Sequence, residues 1–89
     1  MMWHAAATMT VRVLCFAQLR DHVGEPELLM PLRLGATGQD VLDALRTRHP
    51  AIGPLLSVCR LAVNCEYVAP EAALRAGDEV VVVPPVSGG

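Results

Sequence analysis

The sequence predicts an α+β domain, in which a mixed sheet of four or five strands packs on one long helix and one short helix. Two observations lead to this fold class. Short segments rich in β-branched residues recur along the chain, and helical patterns of apolar residues lie between them. A length of 89 residues leaves room for one small domain. We expect residues 1–9 to form a loose N-terminal extension, residues 10–83 the domain, and residues 84–89 an extended tail.

The first elements are a strand, a short helix and a second strand. Residues 10–16 are rich in β-branched side chains, which favours a strand. Residues 17–23 have the pattern of a short helix, and Gly24 follows as its C-cap. Residues 27–34 form the second strand, and Pro31 places that strand at an edge of the sheet because proline cannot donate a backbone hydrogen bond.

The long helix has a clear beginning and end. Thr37 and Asp40 have the spacing of a capping box, with Asp in place of the usual Glu. The helix should run to about His49, because Pro50 cannot continue it. Its apolar face is expected to bury Val41, Leu42 and Leu45.

The second half of the chain adds a hairpin and a final strand. Residues 51–57 are predicted to be a loop that carries the apolar side chains of Ile52, Leu55 and Leu56. Residues 60–64 and 66–68 are strand candidates around an Asn64-Cys65 turn. Residues 70–77 are expected to be irregular, with at most one helical turn, and residues 79–83 form the last strand.

The last strand indicates a partner. A strand with one solvated face alternates apolar and polar residues, but Val80 to Val83 does not alternate, so both faces should be covered. The long helix can cover one face. We expect another protein to cover the other face, on which Leu14 and Phe16 should also lie. The alternative is that residues 52–56 cover it.

Composition excludes several classes of function. The net charge is −2, and the seven cationic side chains are all arginines spread along the chain, so the positive patch of a nucleic-acid-binding protein is absent. No apolar run approaches the roughly 18 residues of a membrane span. Cys15, Cys59 and Cys65 lack the spacing of a metal site, so we expect no bound metal. We expect Cys15 to be buried and Cys65 accessible. Free thiols without an export signal indicate the cytoplasm.

The C-terminal segment is the most specific feature of the sequence. It reads Pro84-Pro85-Val86-Ser87-Gly88-Gly89. The two prolines keep the chain extended, and glycines without side chains can enter a narrow channel. Six extended residues reach about 20 Å, which is enough to place a terminal carboxylate inside another protein. The alternative is a frayed, inert end.

The chain resembles the small, sulfur-carrying subunits of molybdopterin synthase, which belong to the ubiquitin-like β-grasp group. The likeness covers nearly all of residues 10–89. Four stretches carry it: residues 13–20 with Gly24; the helix with Val41, Leu45 and Pro50; Ala62-Val63-Asn64 with Tyr67-Val68; and Leu74 with Gly77-Asp78-Glu79-Val80 before the tail. The full tail behind Gly-Asp-Glu-Val is the most specific of the four.

The resemblance implies a chemistry at Gly89. In the family, an E1-like partner uses ATP to adenylate the C-terminal carboxylate, and a sulfur donor converts it to a thiocarboxylate. The tail then enters the large synthase subunit and gives its sulfur to cyclic pyranopterin monophosphate. The small subunit is not catalytic alone and binds no cofactor itself. By resemblance, Phe16, Tyr67 and Val83 contact the large subunit, and the tail residues Pro84, Pro85, Val86, Ser87 and Gly88 lead Gly89 into it.

Three other functions remain open at this stage. The chain has features shared by sulfur carriers for thiazole or cysteine synthesis, which also end in Gly-Gly. The same activated carboxyl group would serve a ubiquitin-like modifier joined to lysines of target proteins. The chain could also be an interaction domain with an inert tail.

Overall fold

A computed structural model of the protein describes residues 7–85. Five of its segments form one sheet with the strand order β2-β1-β5-β3-β4. The strands are β1 (Thr8–Cys15), β2 (Glu27–Arg33), β3 (Arg60–Val63), β4 (Glu66–Val68) and β5 (Glu79–Val83). The described helices are α1 (Ala17–Val23), α2 (Gly38–Arg48) and α3 (Gly53–Leu56), with a 3₁₀ turn at Pro50–Ile52. None of these helices is long and apolar enough to cross a membrane.

The sheet is mixed, as the sequence predicted. The central strand β5 runs parallel to its neighbour β1, and every other pair of neighbours is antiparallel. The helices cover one face of this sheet, which confirms the α+β class. β5 lies in the middle of the sheet and has a neighbour on each side, so the strand that precedes the tail is held by backbone hydrogen bonds along both edges.

The first strand begins earlier than predicted. Thr8 and Met9 were expected in a loose extension, but they pair with Arg33 and Leu32 of β2. Met9 is only 6% exposed, because the alternation of buried side chains along β1 continues back to it. The strand ends at Cys15, and Phe16 becomes the N-cap residue of α1.

The edge position of β2 agrees with the prediction from Pro31. Backbone hydrogen bonds from Cys15 N–H to the Pro26 carbonyl (2.9 Å) and from Leu34 N–H to the Ala7 carbonyl (3.1 Å) fix which residues of β2 face β1. Backbone bonding alternates along an antiparallel pair, so the even-numbered residues of β2 bond to β1. Pro31 therefore lies where an N–H group would point away from the sheet.

The two predicted helix ends are confirmed. Gly24 is the C-cap of α1 with a φ of 90°, a left-handed conformation that favours glycine. The capping box at the start of α2 is present, and the Thr37 N–H donates a hydrogen bond to Asp40 Oδ2 at 2.8 Å. The last residue of α2 is Arg48, with His49 as its C-cap.

The segment after α2 differs from the prediction of a loop. Pro50–Ile52 is a 3₁₀ turn and Gly53–Leu56 is the short helix α3. A proline lies in the first turn of each, where a missing N–H group leaves no hydrogen bond unmade. Ile52 and Leu56 are each 1% exposed and belong to the same core as the inner side of β5. The alternative in which this segment covers the other face of the sheet is therefore wrong.

A single apolar core lies between the sheet and the helices. No polar or charged residue within residues 7–85 is buried. The core is aliphatic, as the small number of aromatic residues requires. Its members are Met9, Val11, Val13, Cys15, Leu19, Met30, Ala36, Val41, Leu42, Leu45, Ile52, Leu56, Leu61, Leu74, Val80 and Val82.

The β3–β4 hairpin closes with the predicted two-residue turn. Asn64 and Cys65 have φ values of 50° and 73°, the left-handed conformation that tight hairpin turns require. The Asn64 side chain ties this turn to the start of β5: its Nδ2 donates to Asp78 Oδ1 (2.9 Å) and its Oδ1 accepts from the Glu79 N–H (3.0 Å). Residues 70–77 are irregular, as expected, with one bridge between Thr37 and Ala73.

Candidate functional site

One face of the sheet is not covered by the helices described within residues 7–85, and we call it the outer face. A row of apolar side chains crosses it. The pairing places Leu14 beside Val81, Val81 beside Ala62, and Ala62 beside Tyr67. The first three are half-buried, and Tyr67 is 59% exposed. Four strands therefore contribute to one continuous apolar band.

A second row lies next to this band, at the end of the sheet where β5 finishes. Val83 pairs with Arg60 of β3. Cys15 pairs with Val82, so Phe16, the next residue of an extended backbone, follows beside Val83. Phe16 is 47% exposed. The structure thus brings Phe16, Tyr67 and Val83 together on the outer face, although they are far apart in the sequence.

The tail leaves the domain from the same end of the sheet. Pro84 is half-buried and Pro85 is exposed, directly after the central strand β5. The predicted tail residues Val86, Ser87, Gly88 and Gly89 lie outside the described residues. The base of the tail is therefore fixed by a strand that is bonded on both sides, and it begins beside the exposed apolar rows.

Sequence reasoning missed one residue of this surface. The guanidinium carbon of Arg60 lies 4.0 Å from the centroid of the Tyr67 ring, which is a cation–π contact. Tyr67 pairs with Ala62, so Arg60 is its diagonal neighbour across the hairpin. The two-residue turn fixes this register. The contact could have been inferred once the turn was assigned to Asn64 and Cys65.

The charges on the other side of the apolar band are paired with one another. Arg12 Nη2 donates to Glu79 Oε2 at 2.8 Å, and Arg12 Nη1 lies 3.6 Å from Glu27 Oε2. These groups are substantially exposed, so the pairs add little to stability. They do neutralise the Arg12 charge within the domain.

We use the name docking face for Leu14, Phe16, Arg60, Ala62, Tyr67, Val81 and Val83.

The cysteines do not form a nucleophilic site. Cys15 is buried, as predicted, and burial raises the pKa of its thiol, with a smaller contribution from the nearby Cys59. Burial also raises the pKa of the Cys59 thiol, and Cys59 Sγ lies 3.2 Å from the Leu55 carbonyl oxygen, to which it donates. Cys65 is exposed, as predicted, in the turn at the opposite end of β5 from the tail.

Comparison with known sequences identifies a family. The ThiS family matches residues 13–89. The chain is 41% identical to the molybdopterin synthase sulfur carrier subunit of Chlamydomonas reinhardtii, over 91% of this chain and 100% of the relative. It is 37% identical to small archaeal modifier protein 1 of Haloferax volcanii, over 83% of this chain and 94% of the relative.

Comparison with solved structures agrees. A putative molybdopterin converting factor subunit 1 from Pyrococcus furiosus has a TM-score of 0.80 and 30% identity, covering 88% of this chain and 99% of the other. A chain in the complex of subunits 1 and 2 of the molybdopterin-converting factor from Helicobacter pylori has a TM-score of 0.62 and 26% identity, covering 91% and 100%. The ubiquitin of Caldiarchaeum subterraneum has a TM-score of 0.64 at 16% identity, covering 93% and 100%. This last similarity concerns the fold alone, and the expected ubiquitin-like β-grasp fold is confirmed.

Proposed function

The chain belongs to the ThiS family, and on this basis we propose that it is the sulfur carrier of molybdenum cofactor biosynthesis, with Gly89 as the residue that carries the sulfur. The relatives named as molybdopterin synthase sulfur carrier subunits support this function. The observation that carries the proposal is the position of the tail. It begins at the end of a firmly held central strand, beside an exposed apolar face.

The proposed reaction needs activation of the Gly89 carboxylate. A C-terminal carboxyl group has an ordinary pKa of about 3.5, so at neutral pH it is an anion and a poor electrophile. In the proposed first step, a carboxylate oxygen attacks the α-phosphorus of ATP on an E1-like enzyme, and pyrophosphate leaves. A donor that supplies hydrosulfide then attacks the carbonyl carbon through its sulfur, and AMP leaves with one former carboxylate oxygen. The product is a thiocarboxylate.

The domain acts as the handle for this tail. We propose that the docking face binds the large subunit of molybdopterin synthase, with Phe16, Tyr67 and Val83 as apolar contacts. The Helicobacter pylori complex of two subunits contains a chain with this fold, which supports a partner of that kind. The distance to the reaction site would then be spanned by Pro84, Pro85, Val86 and Ser87. Gly88, which has no side chain, would pass the narrowest part of the channel that leads to this site. There the thiocarboxylate gives its sulfur to cyclic pyranopterin monophosphate.

The test is reconstituted molybdopterin synthesis with tail variants. Deleting Gly89 or replacing Gly88 with Trp should abolish sulfur transfer, because the first removes the reactive group and the second adds bulk to the channel. The matched control is Gly53→Ala, since Gly53 has a right-handed helical backbone and its added Cβ would find its nearest neighbour at an ordinary 3.5 Å. Molybdopterin formation by the Gly89 deletion would contradict the proposal.

A second candidate function follows from the similarity to small archaeal modifier protein 1. An activated Gly89 carboxyl group can also acylate a lysine amine of another protein, and the present chain contains no lysine that could accept a copy of itself. The test is an immunoblot of cells that express a tagged chain. Conjugates that disappear with the Gly89 deletion would show protein modification. A further test offers the sulfur-loaded protein, in separate reactions, the sulfur acceptors of thiazole, cysteine and molybdopterin synthesis. The acceptor that takes up the sulfur identifies the pathway that the carrier serves.

A further inference from the structure

We infer that Arg60 recognises a carboxylate on the protein that covers the docking face. This inference deepens the proposed function and rests on it, because it takes the large synthase subunit as that protein. It adds a charged, specificity-determining contact to a surface otherwise defined by apolar side chains. The side chain of Arg60 is exposed, and it lies beside Val83 at the base of the tail.

Tyr67 holds the Arg60 guanidinium in position. The ring lies 4.0 Å below the guanidinium carbon, and both residues are on the outer face of the sheet. Stacking against the ring restricts the long arginine side chain before any partner arrives, so less conformational entropy is lost on binding. A guanidinium also presents a planar pair of donors that matches the two oxygens of a carboxylate.

The charge of Arg60 has no partner among the described residues. On the same face, Arg12 lies between Glu79 and Glu27, whereas none of the ion pairs formed within residues 7–85 includes Arg60. When an apolar surface covers the docking face, water leaves the guanidinium. Burying an unpaired charge is costly, so a stable complex requires an anion from the other protein.

That anion is a carboxylate of the partner protein and not a phosphate of a small substrate. Arg60 lies next to Val83, where the tail starts, while the reacting group is at Gly89. The intervening tail extends for about 20 Å when stretched, so a ligand bound at its tip is remote from Arg60. The surface in contact with Arg60 is therefore the body of the partner protein.

The experiment measures the affinity of the full-length chain for the purified large synthase subunit of the same organism, by calorimetry at low and high salt. Arg60→Met keeps most of the apolar stem and removes the charge, and it should weaken binding at least about tenfold. Arg60→Glu should weaken it at least about a hundredfold, because like charges would face one another. The matched control is Arg48→Met, which removes one exposed charge from the end of α2, on the helix side of the sheet.

A contact between Arg60 and a carboxylate should also affect how binding depends on salt, and it should allow binding to be restored by a charge reversal on the partner. The salt dependence of binding should decrease in Arg60→Met but not in Arg48→Met. Changing one acidic residue of the large subunit to Arg should restore binding of Arg60→Glu. Thermal unfolding of each variant checks that the domain remains folded.

The outcomes separate this inference from the proposed function. If Arg60→Met binds as tightly as Arg48→Met, with the same salt dependence, the inference is wrong while the docking face stands. If no acidic residue of the large subunit rescues Arg60→Glu, the inference is also wrong. If the unaltered chain does not bind the large subunit at all, the proposed partner is wrong and the inference fails with it.

Discussion

The replacement Phe16→Asp tests the docking face with a magnitude that follows from the structure. Phe16 is 47% exposed. An aromatic side chain of about 200 Å² therefore leaves about 95 Å² to be covered by a partner, which is worth about 2.4 kcal/mol at about 25 cal/mol per Å². Loss of this contact should raise the Kd about 50-fold, and the buried carboxylate of the variant should raise it further.

The same replacement should leave the domain folded. Phe16 is the N-cap residue of α1 with extended backbone angles (φ −125°, ψ 162°), and its side chain makes no capping hydrogen bond. Asp is among the residues preferred at that position, because its oxygen accepts a hydrogen bond from the first turn of the helix. A loss of binding therefore cannot be attributed to a weakened fold, and thermal unfolding of the variant checks this point.

Calorimetric titration with the large subunit is the assay, and Leu34→Asp is the matched control. Leu34 is 56% exposed, slightly more than Phe16, and its N–H bonds to Ala7, at the opposite end of β1. Nine residues of extended chain separate Ala7 from Phe16, a distance of about 30 Å. If the two variants bind equally well, or lose affinity equally, the location of the docking face is wrong.

Three further predictions concern the fold. Gly38→Ala should lower the free energy of unfolding by about 1–3 kcal/mol in urea, because its Cβ would lie 2.6 Å from Cδ1 of the buried Leu61 and 3.1 Å from the backbone oxygen of Pro70; an unchanged midpoint would refute this close packing. Pro31→Val should promote self-association in sedimentation, because it restores an outward N–H group to the free edge of β2, and a monomer at every concentration would contradict the edge argument. Finally, the thiols of the unfolded chain have a pKa near 9.0, whereas burial raises the pKa of the Cys15 and Cys59 thiols in the folded protein. The unfolded state therefore loses these protons first, and the free energy of unfolding should fall as the pH rises above 9.0. Urea titrations at rising pH should show a smaller fall in the free energy of unfolding for the variant that carries both Cys15→Ala and Cys59→Ala.

The sequence predicted the elements whose ends have a local chemical cause. Gly24 ends α1 because a left-handed residue is needed there, and the capping box of Thr37 and Asp40 begins α2. Pro31 predicted an edge strand because the missing N–H group is tolerated only there. These features depend on residues that are close in the chain, so the sequence alone contains them.

The errors arose where packing in three dimensions decides the outcome. Residues 51–57 follow Pro50 and contain a second proline and a glycine, which suggest a loop, but burial of Ile52 and Leu56 in the core folds the segment into helical turns. Met9 joins β1 because β2 is available to pair with it. Neither effect has a local signal in the sequence.

The docking face was predicted in part. The absence of alternation along β5 indicated a second covered face, and Phe16, Tyr67 and Val83 came from the resemblance to a family. Their common position depends on the strand order and register, which the sequence does not state. Arg60 was missed as well: the predicted turn already makes it a diagonal neighbour of Tyr67, but only the pairing of β3 with β5 places it beside Val83.

The intact mass of the chain after incubation with the E1-like enzyme, ATP and a sulfur source tests the central claim most directly. Replacement of one oxygen by sulfur should increase the mass by the difference between the two atoms, and fragmentation should assign the increase to Gly89. The chain without Gly89 provides the control. An unchanged mass with an active enzyme and donor, or sulfur found on a cysteine instead, would contradict a carrier that works through its C-terminal carboxyl group.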